Sequence, residues 1–499
     1  MNKGKVWLVG AGPGDSALFT LKGLSTLQQA DVVVYDSLVG AGVLTMIPKS
    51  ARTINVGKRA NHHTMPQHEI NKVLLREAMD GNKVVRLKGG DPFLFGRGGE
   101  ELELLVENDI PYEIIPGVTS PISVPAYNGI PVTHRDYTSS LHIITGHKRA
   151  GKEYDINFKA LVETNGTLVF LMGVSAMADI CGALLENGMD PDMPAAILQQ
   201  GTTAGQKRIV ATVSTLVEEV AKKGIETPAI IVVGKVCALA DKFEWFEKMP
   251  LMGCKVLVTR PRELQSVMSA KLRAQGAEVV ELPAIATAAI ENNTALQEAF
   301  KKLTEYQWIA FTSPTGVRIF FDEMLACGID NRKLGNVKFA VIGSGTAKAL
   351  KERGFIADLM PEVYDGAALG ACLAQTASKD EKILLPRASI GNREVIEALE
   401  GFQVDDIATY DTTYESQEFV DQVKLFEDGK MTCAVFTSAS TVKGFVEATK
   451  GLDYTKVTAA CIGKQTKAAA DAYGMKTWMA KKATIDSVVE LVEEIHAAK

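Results

Sequence analysis

The chain alternates short apolar strands with helix-like segments, and glycine-rich turns separate many of these pairs. The first strand, VWLVG, precedes the helix-like LKGLSTLQQA, and the strands DVVVYD and KVVRLKGGDP follow. This alternation is typical of βα units, whose helices cover the faces of a largely parallel sheet. We therefore expect an α/β fold. With 499 residues, the chain has enough length for about three or four compact units of roughly 100–200 residues each.

Composition excludes several classes of protein. Hydrophobic residues make up 46% and charged residues 23% of the chain, which is ordinary for a globular protein. The formal net charge of −6 argues against a nucleic-acid binder, which shows a basic footprint. No apolar run has the roughly 18–20 residues of a membrane helix, and the first apolar run is too short for a signal peptide. We expect a cytoplasmic protein with neither nucleic-acid nor membrane partners.

Metal and disulfide chemistry are also not expected. The seven cysteines are scattered without a CxxC pair, so they predict small core residues in a reducing compartment.

Two stretches rich in proline, glycine or mixed charge divide the chain. KFEWFEKMPLMGCKVLVTRP, at 242–261, separates a first half, 1–247, from a second half, 252–499. PGVTSPISVPAYNGIPVTHRD, at 116–136, marks a linker or active-site loop. The first half is therefore expected to form two lobes, about 1–116 and 117–247.

The second half contains an internal duplication. YQWIAFTSPTGVRIFF (306–321) and MTCAVFTSASTVKGFV (431–446) share a strand, an FTS turn and a helix, and a later strand–IGxxT–helix unit is also present twice. Two copies of one unit predict two similar α/β lobes that face a cleft. We expect one lobe at about 252–286 plus 412–499 and the other at about 290–408. The alternative is two unrelated βα turns.

The turn GAGPGD, at 10–15, follows a strand and precedes a helix. A dinucleotide fingerprint at such a place offers backbone N–H groups to a pyrophosphate. Here Pro13 removes one N–H, and Asp15 places a carboxylate where an anion would bind. The turn therefore favours a ligand without phosphates. Asp36 ends the strand DVVVYD and resembles the ribose-binding acid of the fingerprint, so a nicotinamide-dependent oxidoreductase stays an alternative.

The segment RLKGGDPFLFGRGGEE, at 86–101, has the composition of a binding loop. Gly89 and Gly90 let a ligand approach the main chain, Asp91 offers a carboxylate, and Arg97 can clamp a carboxylate in two-point fashion. Alternatively, Asp91 caps the following turn and Arg97 forms a surface ion pair.

Positive charge is concentrated farther along the first half. GIPVTHRD and TGHKR contain His134, Arg135, His147, Lys148 and Arg149. This concentration in an acidic protein predicts a pocket for a polyanion.

The first half resembles the uroporphyrinogen-III C-methyltransferase family across roughly residues 3–245. The resemblance rests on a series of strings in one order: GAGPGD, ADVVVYDSLV, VGK, RLKGGDPFLFGRGGEE, PGVTSP, GIPVTHRD, TGH, FLMG, QQGTT and PAIIVVGKV. It implies a homodimer of chains with the two-lobed tetrapyrrole-methylase fold. It also implies that S-adenosylmethionine binds between the lobes and that two carbons of uroporphyrinogen III are methylated to give precorrin-2.

The resemblance also implies site residues. Proton-transfer roles fall on Asp36 and Lys58, and Asp36 or Arg97 is the candidate base. Ser37 stands where many relatives have an arginine, so one carboxylate clamp is absent or supplied from elsewhere. The family's tetrapyrrole-holding positions are Arg97, Glu100, Arg135 and His147, and its cofactor contacts are Pro13, Gly89, Gly90, Asp91, Leu94, Thr119, Ser120, Met172 and Gly201.

The second half presents hydroxyl groups and glycine turns at matching places in both expected lobes. Such turns, at the carboxyl ends of strands, offer backbone N–H groups and hydroxyls to an anionic ligand. Alternatively, the hydroxyls only cap the helices that follow. The residues concerned are Ser313, Thr346, Ser438 and Thr466, with Arg260, Arg387, Tyr410 and Lys464 nearby in the pattern.

This half resembles the uroporphyrinogen-III synthase family across about 253–499. The strings that carry the resemblance are KVLVTRP, FTSPTGV, AVIGSGTAKAL, LLPRAS, FTSAST and CIGKQTKAAA. It implies flavodoxin-like lobes and a cofactor-free cyclisation of hydroxymethylbilane with loss of water, in which Tyr410 is the best candidate acid and Ser313, Thr346, Ser438 and Thr466 contact the substrate. The alternative is a ligand-sensing module that regulates the methyltransferase. Whether the product leads to sirohaem or cobalamin stays open.

Overall fold

The computed structural model describes residues 3–57, 65–146, 156–259, 262–391, 393–414 and 422–498. Across these ranges strands and helices alternate, and the strands form four sheets of five strands each. The α/β fold predicted from the alternating pattern is confirmed. None of the helices in these ranges has both the length and the apolar character needed to span a bilayer.

The first sheet consists of parallel strands covered by helices. Its strands are β1 (Lys5–Gly10), β2 (Val32–Tyr35), β3 (Arg52–Asn55), β4 (Lys83–Lys88) and β5 (Tyr112–Ile115). The accompanying helices are α1 (Leu21–Leu27), α2 (Ala41–Leu44), α3 (Gln67–Met79) and α4 (Gly98–Glu107). The spatial order is β3-β2-β4-β1-β5, with every neighbouring pair parallel. All four residues of β2, VVVY, are buried, because a strand with helices on both faces meets apolar surface on both sides.

The second sheet is mixed. Its strands are β6 (Leu141–Thr145), β7 (Thr167–Leu171), β8 (Pro194–Gln199), β9 (Lys207–Thr212) and β10 (Ala229–Val233). The helices of this part are α5 (Ser120–Tyr127), α6 (Phe158–Glu163), α7 (Met177–Glu186) and α8 (Leu216–Lys223). The order is β6-β7-β10-β8-β9, in which only β6 and β7 are parallel neighbours.

The second half contains the third and fourth sheets. In chain order its strands are β11 (Lys255–Val258), β12 (Glu278–Glu281), β13 (Ile285–Ala289), β14 (Trp308–Phe311), β15 (Lys338–Val341), β16 (Lys382–Ala388), β17 (Gln403–Tyr414), β18 (Cys433–Phe436), β19 (Thr458–Cys461) and β20 (Lys476–Met479). Its helices are α9 (Arg262–Ala274), α10 (Thr294–Lys301), α11 (Pro314–Ala326), α12 (Ser344–Glu352), α13 (Gly366–Thr376), α14 (Glu394–Ala398), α15 (Gln422–Glu427), α16 (Ala439–Ala448), α17 (Lys464–Asp471) and α18 (Ile485–Ala497).

The two sheets of the second half have related orders. The third is β12-β11-β18-β19-β20 and wholly parallel, which is the flavodoxin-like order 2-1-3-4-5. The fourth is β13-β17-β16-β14-β15, with β13 antiparallel to β17. The sheet that corresponds to the lobe predicted at 290–408 thus takes in β13 and the end of β17, because Ala289 pairs with Tyr410. The domain limits themselves stay a proposal.

The sequence duplication corresponds to a duplicated backbone. Ser313 precedes α11 with φ −159° and ψ 153°, and Ser438 precedes α16 with φ −163° and ψ 161°. Gly343 before α12 and Gly463 before α17 are both fully extended. The strand–turn–helix units of the two lobes therefore share the same turn geometry, which unrelated βα turns have no reason to share.

The two halves of the chain pack against each other through an apolar core. Val43 and Leu44 of α2 belong to the same buried cluster as Val280 of β12 and Leu282 just beyond it. A Cβ atom on Gly42 would lie 3.5 Å from the Val279 carbonyl oxygen. The helix after β2 and the edge strand of the third sheet are thus in direct contact.

A buried charge cluster lies between β4 and α4. Glu101 is fully buried, and its Oε1 accepts hydrogen bonds from Arg86 Nε (3.1 Å), Lys88 Nζ (2.9 Å) and Gln67 Nε2 (3.2 Å). Arg86 Nη2 also donates to Asp36 Oδ2 at 3.2 Å. Burial, followed by the nearby Arg86 charge, lowers the pKa of Lys88, whereas Glu101 acts in the opposite direction. The cluster connects the core of the sheet to the carboxylate at the end of β2.

Glu101→Ala should destabilise the first lobe by about 3–5 kcal/mol, because it leaves two buried cations without their shared anion. Glu103→Ala, on the exposed side of the same helix, should change the free energy of unfolding by less than about 0.5 kcal/mol. Chemical denaturation of both variants measures the difference. An equal loss of unfolding free energy in the two variants would show that Glu101→Ala disturbs helix α4 and not the charge cluster.

Candidate functional sites

The glycine turn after β1 is joined by backbone hydrogen bonds to the turn after β4. Gly12 N donates to Gly90 O (3.2 Å), and Gly90 N donates to Gly12 O (2.8 Å). The two turns meet because parallel neighbouring strands bring their carboxyl ends to the same edge of the sheet. Gly90 has φ +67°, and a Cβ atom added there would meet nothing within 4 Å. The turn therefore leaves an open cradle beside its main chain.

Asp91 lies next to this cradle and accepts three backbone hydrogen bonds. Its Oδ1 accepts from Phe93 N (2.8 Å) and Leu94 N (3.1 Å), and its Oδ2 accepts from Gly117 N (3.0 Å). The turn-capping role considered for Asp91 is thus present. These bonds also attach the loop after β5, which leads to Thr119 and Ser120, to the loop after β4.

The loop after β8 brings the second lobe to the same turn. Gly201 is packed so closely on α5 that an added Cβ would lie 2.4 Å from Val124 Cγ1. Asp15 N donates to Thr202 Oγ1 at 3.1 Å, and Tyr127 OH donates to Asp15 Oδ2 at 2.9 Å. The structure therefore brings the predicted cofactor residue Gly201 and the GAGPGD turn together, although they are separated by almost two hundred residues.

Non-glycine residues with positive φ are concentrated near these loops. Phe95 (52°), Arg97 (58°), Met172 (55°), Gln200 (43°) and Thr202 (71°) all have this conformation. A positive φ is uncommon for residues other than glycine. It persists where the surrounding structure stabilises it, often at functional sites. Met172 is also 52% exposed at the end of β7. The strained backbone thus marks the same region as the sequence motifs.

The residues predicted to handle a tetrapyrrole are only partly assembled among the described residues. Arg97 donates to Glu100 through Nε (2.9 Å) and Nη2 (2.6 Å), so the surface ion pair considered for Arg97 is present. Arg135 is exposed between α5 and β6. Lys58 and His147 lie outside the described residues, and their roles stay predictions from the resemblance.

Sequence reasoning missed the buried charge cluster that includes Arg86, the partner of Asp36. Arg86 and Lys88 lie in the quoted string RLKGGDP, and Glu101 lies at its far end. Two basic residues at alternate positions in the second part of the strand KVVRLK, Arg86 and Lys88, were the available signal. Alternate positions of a strand share one face, so both cations point towards the same helix.

In the second half, the four hydroxyl residues fall into two structural types. Ser313 Oγ accepts from Gly316 N (2.9 Å), and Ser438 forms a capping box with Thr441. These two serines therefore cap helices, as the alternative predicted. The same alternative is wrong for Thr346 and Thr466. Both are buried in the first turn of their helices, because the extended glycine before each helix occupies the cap position.

Tyr410 contacts one of these helix caps. Its hydroxyl lies 2.7 Å from Ser313 Oγ, and only 6% of the residue is exposed. Burial raises the pKa of Tyr410, against a smaller lowering by the Ser313 hydrogen bond. The phenol therefore remains protonated at neutral pH and is available as a proton donor.

The other polar residues noted in this half have different environments. Arg387 forms a two-point ion pair with Asp406, at 2.6 and 2.7 Å. Lys464 is exposed at the start of α17. Arg260 lies outside the described residues.

One contact between the two lobes of the second half lies at the N-termini of two helices, α17 and α14. In each lobe the two duplicated helices are neighbours, α11 with α12 and α16 with α17. Gln465 Nε2, in the first turn of α17, donates to Glu394 of α14 in the other lobe at 3.1 Å. Helix N-termini carry partial positive charge and free N–H groups, so they suit an anionic ligand.

Comparison with known proteins agrees with this division of the chain. The family model of Tetrapyrrole (Corrin/Porphyrin) Methylases matches residues 5–217, and that of Uroporphyrinogen-III synthase HemD matches residues 266–490. A siroheme synthase of Enterobacter sp. (strain 638) is 51% identical over 245 residues, which are 49% of this chain and 53% of that protein. The crystal structure of a uroporphyrin-III C-methyl transferase from Thermus thermophilus, complexed with S-adenyl homocysteine, is 39% identical, covers 47% of this chain and 99% of its own, and has a TM-score of 0.41.

One relative matches both halves. The porphyrin biosynthesis protein HemD of Ruminiclostridium josui is 48% identical over 497 residues, which cover 99% of each chain. The chain therefore belongs to the family of this porphyrin biosynthesis protein, with a tetrapyrrole methylase domain in its first half and a uroporphyrinogen-III synthase domain in its second half.

Proposed function

We propose that the second half cyclises hydroxymethylbilane to uroporphyrinogen III with loss of water. The first half then methylates two carbons of that product, with S-adenosylmethionine as donor, to give precorrin-2. The methyl-transfer step rests on one observation, the open cradle at Gly90. Carboxylates flank this cradle, and Pro13 lacks the backbone N–H that a phosphate would bind.

The charges around the cradle suit a cationic ligand. Asp91 adjoins Gly90, and Asp15 ends the glycine turn. Carboxylates repel a pyrophosphate and attract a positive group, so the site fits a sulfonium better than a nicotinamide dinucleotide. S-adenosylmethionine supplies, when bound, a methyl group on a positively charged sulfur. Membership of the methylase family points the same way.

The chain's own residues would bind and align the two reactants. We assign donor binding to Pro13, Gly89, Gly90, Asp91, Leu94, Thr119, Ser120, Met172 and Gly201, most of which border the cradle or the loops joined to it. Asp36 or Arg97 would remove the proton that the methylated ring loses. Arg86 orients the Asp36 carboxylate at 3.2 Å. Alignment in a dry site contributes more to such a displacement than a strong base does.

The tetrapyrrole carboxylates require cations near the cradle. Arg97 is occupied by Glu100, at 2.6 Å, so a substrate carboxylate would exchange with Glu100 as the partner of the guanidinium. Arg135 and His147 complete the proposed set, and Lys58 keeps the proton-transfer role that the resemblance implies.

The ring closure in the second half needs an acid and a folded substrate. The bilane loses its hydroxyl group as water, and a new carbon–carbon bond closes the ring as a proton leaves. Tyr410 would protonate the departing hydroxyl, with Ser313 Oγ at 2.7 Å to hold the phenol. The N-termini of α12 and α17, with Thr346, Ser438 and Thr466, would receive the carboxylates of the folded bilane. We propose that this step uses no cofactor.

We also propose that the chain forms a homodimer through its first half. Exposed apolar side chains lie in the loops beside the cradle: Leu38 (64%), Phe93 (51%) and Phe95 (42%). An apolar group of this kind is typical of a surface that a partner covers. The cytoplasmic location stays a prediction.

The unmodified chain should convert hydroxymethylbilane plus S-adenosylmethionine into a product two methyl groups heavier than uroporphyrinogen III. Mass spectrometry and the visible spectrum follow the reaction. With the donor omitted, the chain should yield the type III isomer. Formation of only the spontaneously closed isomer would contradict the synthase assignment and support a sensor module.

Asp91→Asn should weaken donor binding by roughly ten-fold or more. The substitution removes a negative charge beside the cradle and turns an amide N–H₂ towards a backbone N–H, which loses charge-assisted hydrogen bonds. Calorimetric titration with S-adenosylhomocysteine measures the change. Asp80→Asn, at the exposed end of α3, is the control and should bind as the unmodified chain does. An unchanged affinity in Asp91→Asn would refute the role given to this carboxylate.

Tyr410→Phe should slow ring closure by at least about ten-fold, since general acids contribute roughly 10²–10⁴-fold to such steps. Methylation of supplied uroporphyrinogen III should remain as fast as before. Coupled assays of the two steps separate these effects. Tyr414→Phe, on an exposed side chain at the end of the same strand, should alter neither rate. Equal slowing of both steps by Tyr410→Phe would count against a catalytic role.

A further inference from the structure

A carboxylate of the second half contacts a loop of the first half. Glu278 begins β12, and its Oε2 accepts a hydrogen bond from Ala204 N at 3.0 Å. Its Oε1 pairs with Lys255 Nζ at 2.6 Å, and these two residues are direct register partners in neighbouring parallel strands. The side chain is 22% exposed. Glu278 is therefore held on both sides, by its own lobe and by the other half of the chain.

Ala204 belongs to the loop 200–206, which reaches the donor cradle. Within this loop Thr202 N donates to Gln206 Oε1 at 3.0 Å. Towards the cradle, Asp15 N donates to Thr202 Oγ1 at 3.1 Å, and a Cβ on Gly14 would lie 2.6 Å from Thr203 Cγ2. A displacement of Ala204 would therefore be transmitted to the GAGPGD turn.

The backbone of the same loop has an unfavourable conformation at two residues. Gln200 and Thr202 both have positive φ, 43° and 71°, on either side of Gly201. Non-glycine residues keep this conformation where the surrounding structure determines it. The hydrogen bond from Ala204 to Glu278 is one of the contacts that supply this support.

Strand β12, which carries Glu278, is packed tightly against the first half. The apolar core shared by α2 and β12 fixes β12 on the first half, with Val280 and Leu282 packed in the same cluster as Leu44. A cavity beside the contact is lined by residues of both halves, Gly14, Asp15 and Thr202 from the first and Arg273, Glu278 and Val279 from the second. The Glu278–Ala204 contact is thus part of a packed interface and differs from a surface ion pair between long flexible side chains.

We infer that Glu278 of the synthase domain is a positioning residue of the methyltransferase domain. It fixes the loop 200–206 in the conformation that binds the methyl donor. This inference rests on the proposed function, since it takes Gly201 and the glycine turn as the donor site. It follows that the donor affinity of the first half depends on a side chain of the second half, although that side chain touches neither reactant.

Glu278→Ala in the full chain should raise the Kd for S-adenosylhomocysteine by roughly five- to ten-fold, the size expected when one intramolecular hydrogen bond is lost. The KM for S-adenosylmethionine should rise by the same factor, whereas kcat changes by less than about two-fold. Calorimetry gives the Kd, and initial rates with supplied uroporphyrinogen III give KM and kcat. Synthase activity in the same preparation shows that the second half is folded.

Glu278→Gln separates positioning from simple charge attraction. The amide oxygen can still accept from Ala204 N, so this variant should bind the donor within about two-fold of the unmodified chain. Glu298→Ala, which removes an exposed carboxylate that pairs with Lys301 in the other lobe, is the charge-matched control and should have no effect. If Glu278→Gln bound the donor as weakly as Glu278→Ala does, the positioning role would be overturned, and attraction of the donor by charge would be indicated.

The outcomes distinguish this inference from the function on which it rests. An unmodified chain that binds the donor, together with a Glu278→Ala variant of equal affinity, would overturn the inference alone. Weakening by Glu298→Ala to the same extent would also overturn it. An unmodified chain that binds neither S-adenosylmethionine nor S-adenosylhomocysteine would overturn the proposed function and the inference with it.

Discussion

The pair of backbone hydrogen bonds between Gly12 and Gly90 is the interaction on which the first site depends. It joins the turns after β1 and β4, which parallel pairing has already brought to one edge of the sheet. Residues with a Cβ would separate the turns at their closest points, since an added Cβ on Gly10 would lie 2.6 Å from the Gly90 carbonyl oxygen. At Gly90 itself the space is open, so the same contact that closes the two turns leaves a cradle between them.

The two halves suit ligands of opposite charge. Around the cradle the main chain lacks an N–H at Pro13 and has carboxylates at Asp15 and Asp91, which suits a positively charged donor. In the second half, the N-termini of α12 and α17, where a glycine occupies the cap position without a capping side chain, offer N–H groups and partial positive charge, which suits a substrate with many carboxylates. Burial raises the pKa of Tyr410, the proposed proton donor of that half.

The interface between the two halves lies beside the loop that carries Gly201. The second half does not attach to an arbitrary surface of the first. It packs β12 against α2 and places Glu278 on the loop that carries Gly201. A shared core makes this contact rigid, and the loop it supports has strained backbone at Gln200 and Thr202. The geometry thus connects the packing of one domain to the proposed donor site of the other.

The sequence by itself determined the α/β class, the division into halves, the duplication and the motifs that border the cradle, because short-range patterns of apolar residues, glycine and proline encode strands, turns and their order. It did not reveal that Arg86, Lys88 and Glu101 form one buried cluster, or that Thr346 and Thr466 lie inside helices whose caps are glycines. Those facts depend on which residues meet across long distances in the chain. Only the tertiary structure decided that Thr202 contacts Asp15 and that Glu278 contacts Ala204, since pairings between remote segments follow from how whole sheets pack and leave no local periodic signal.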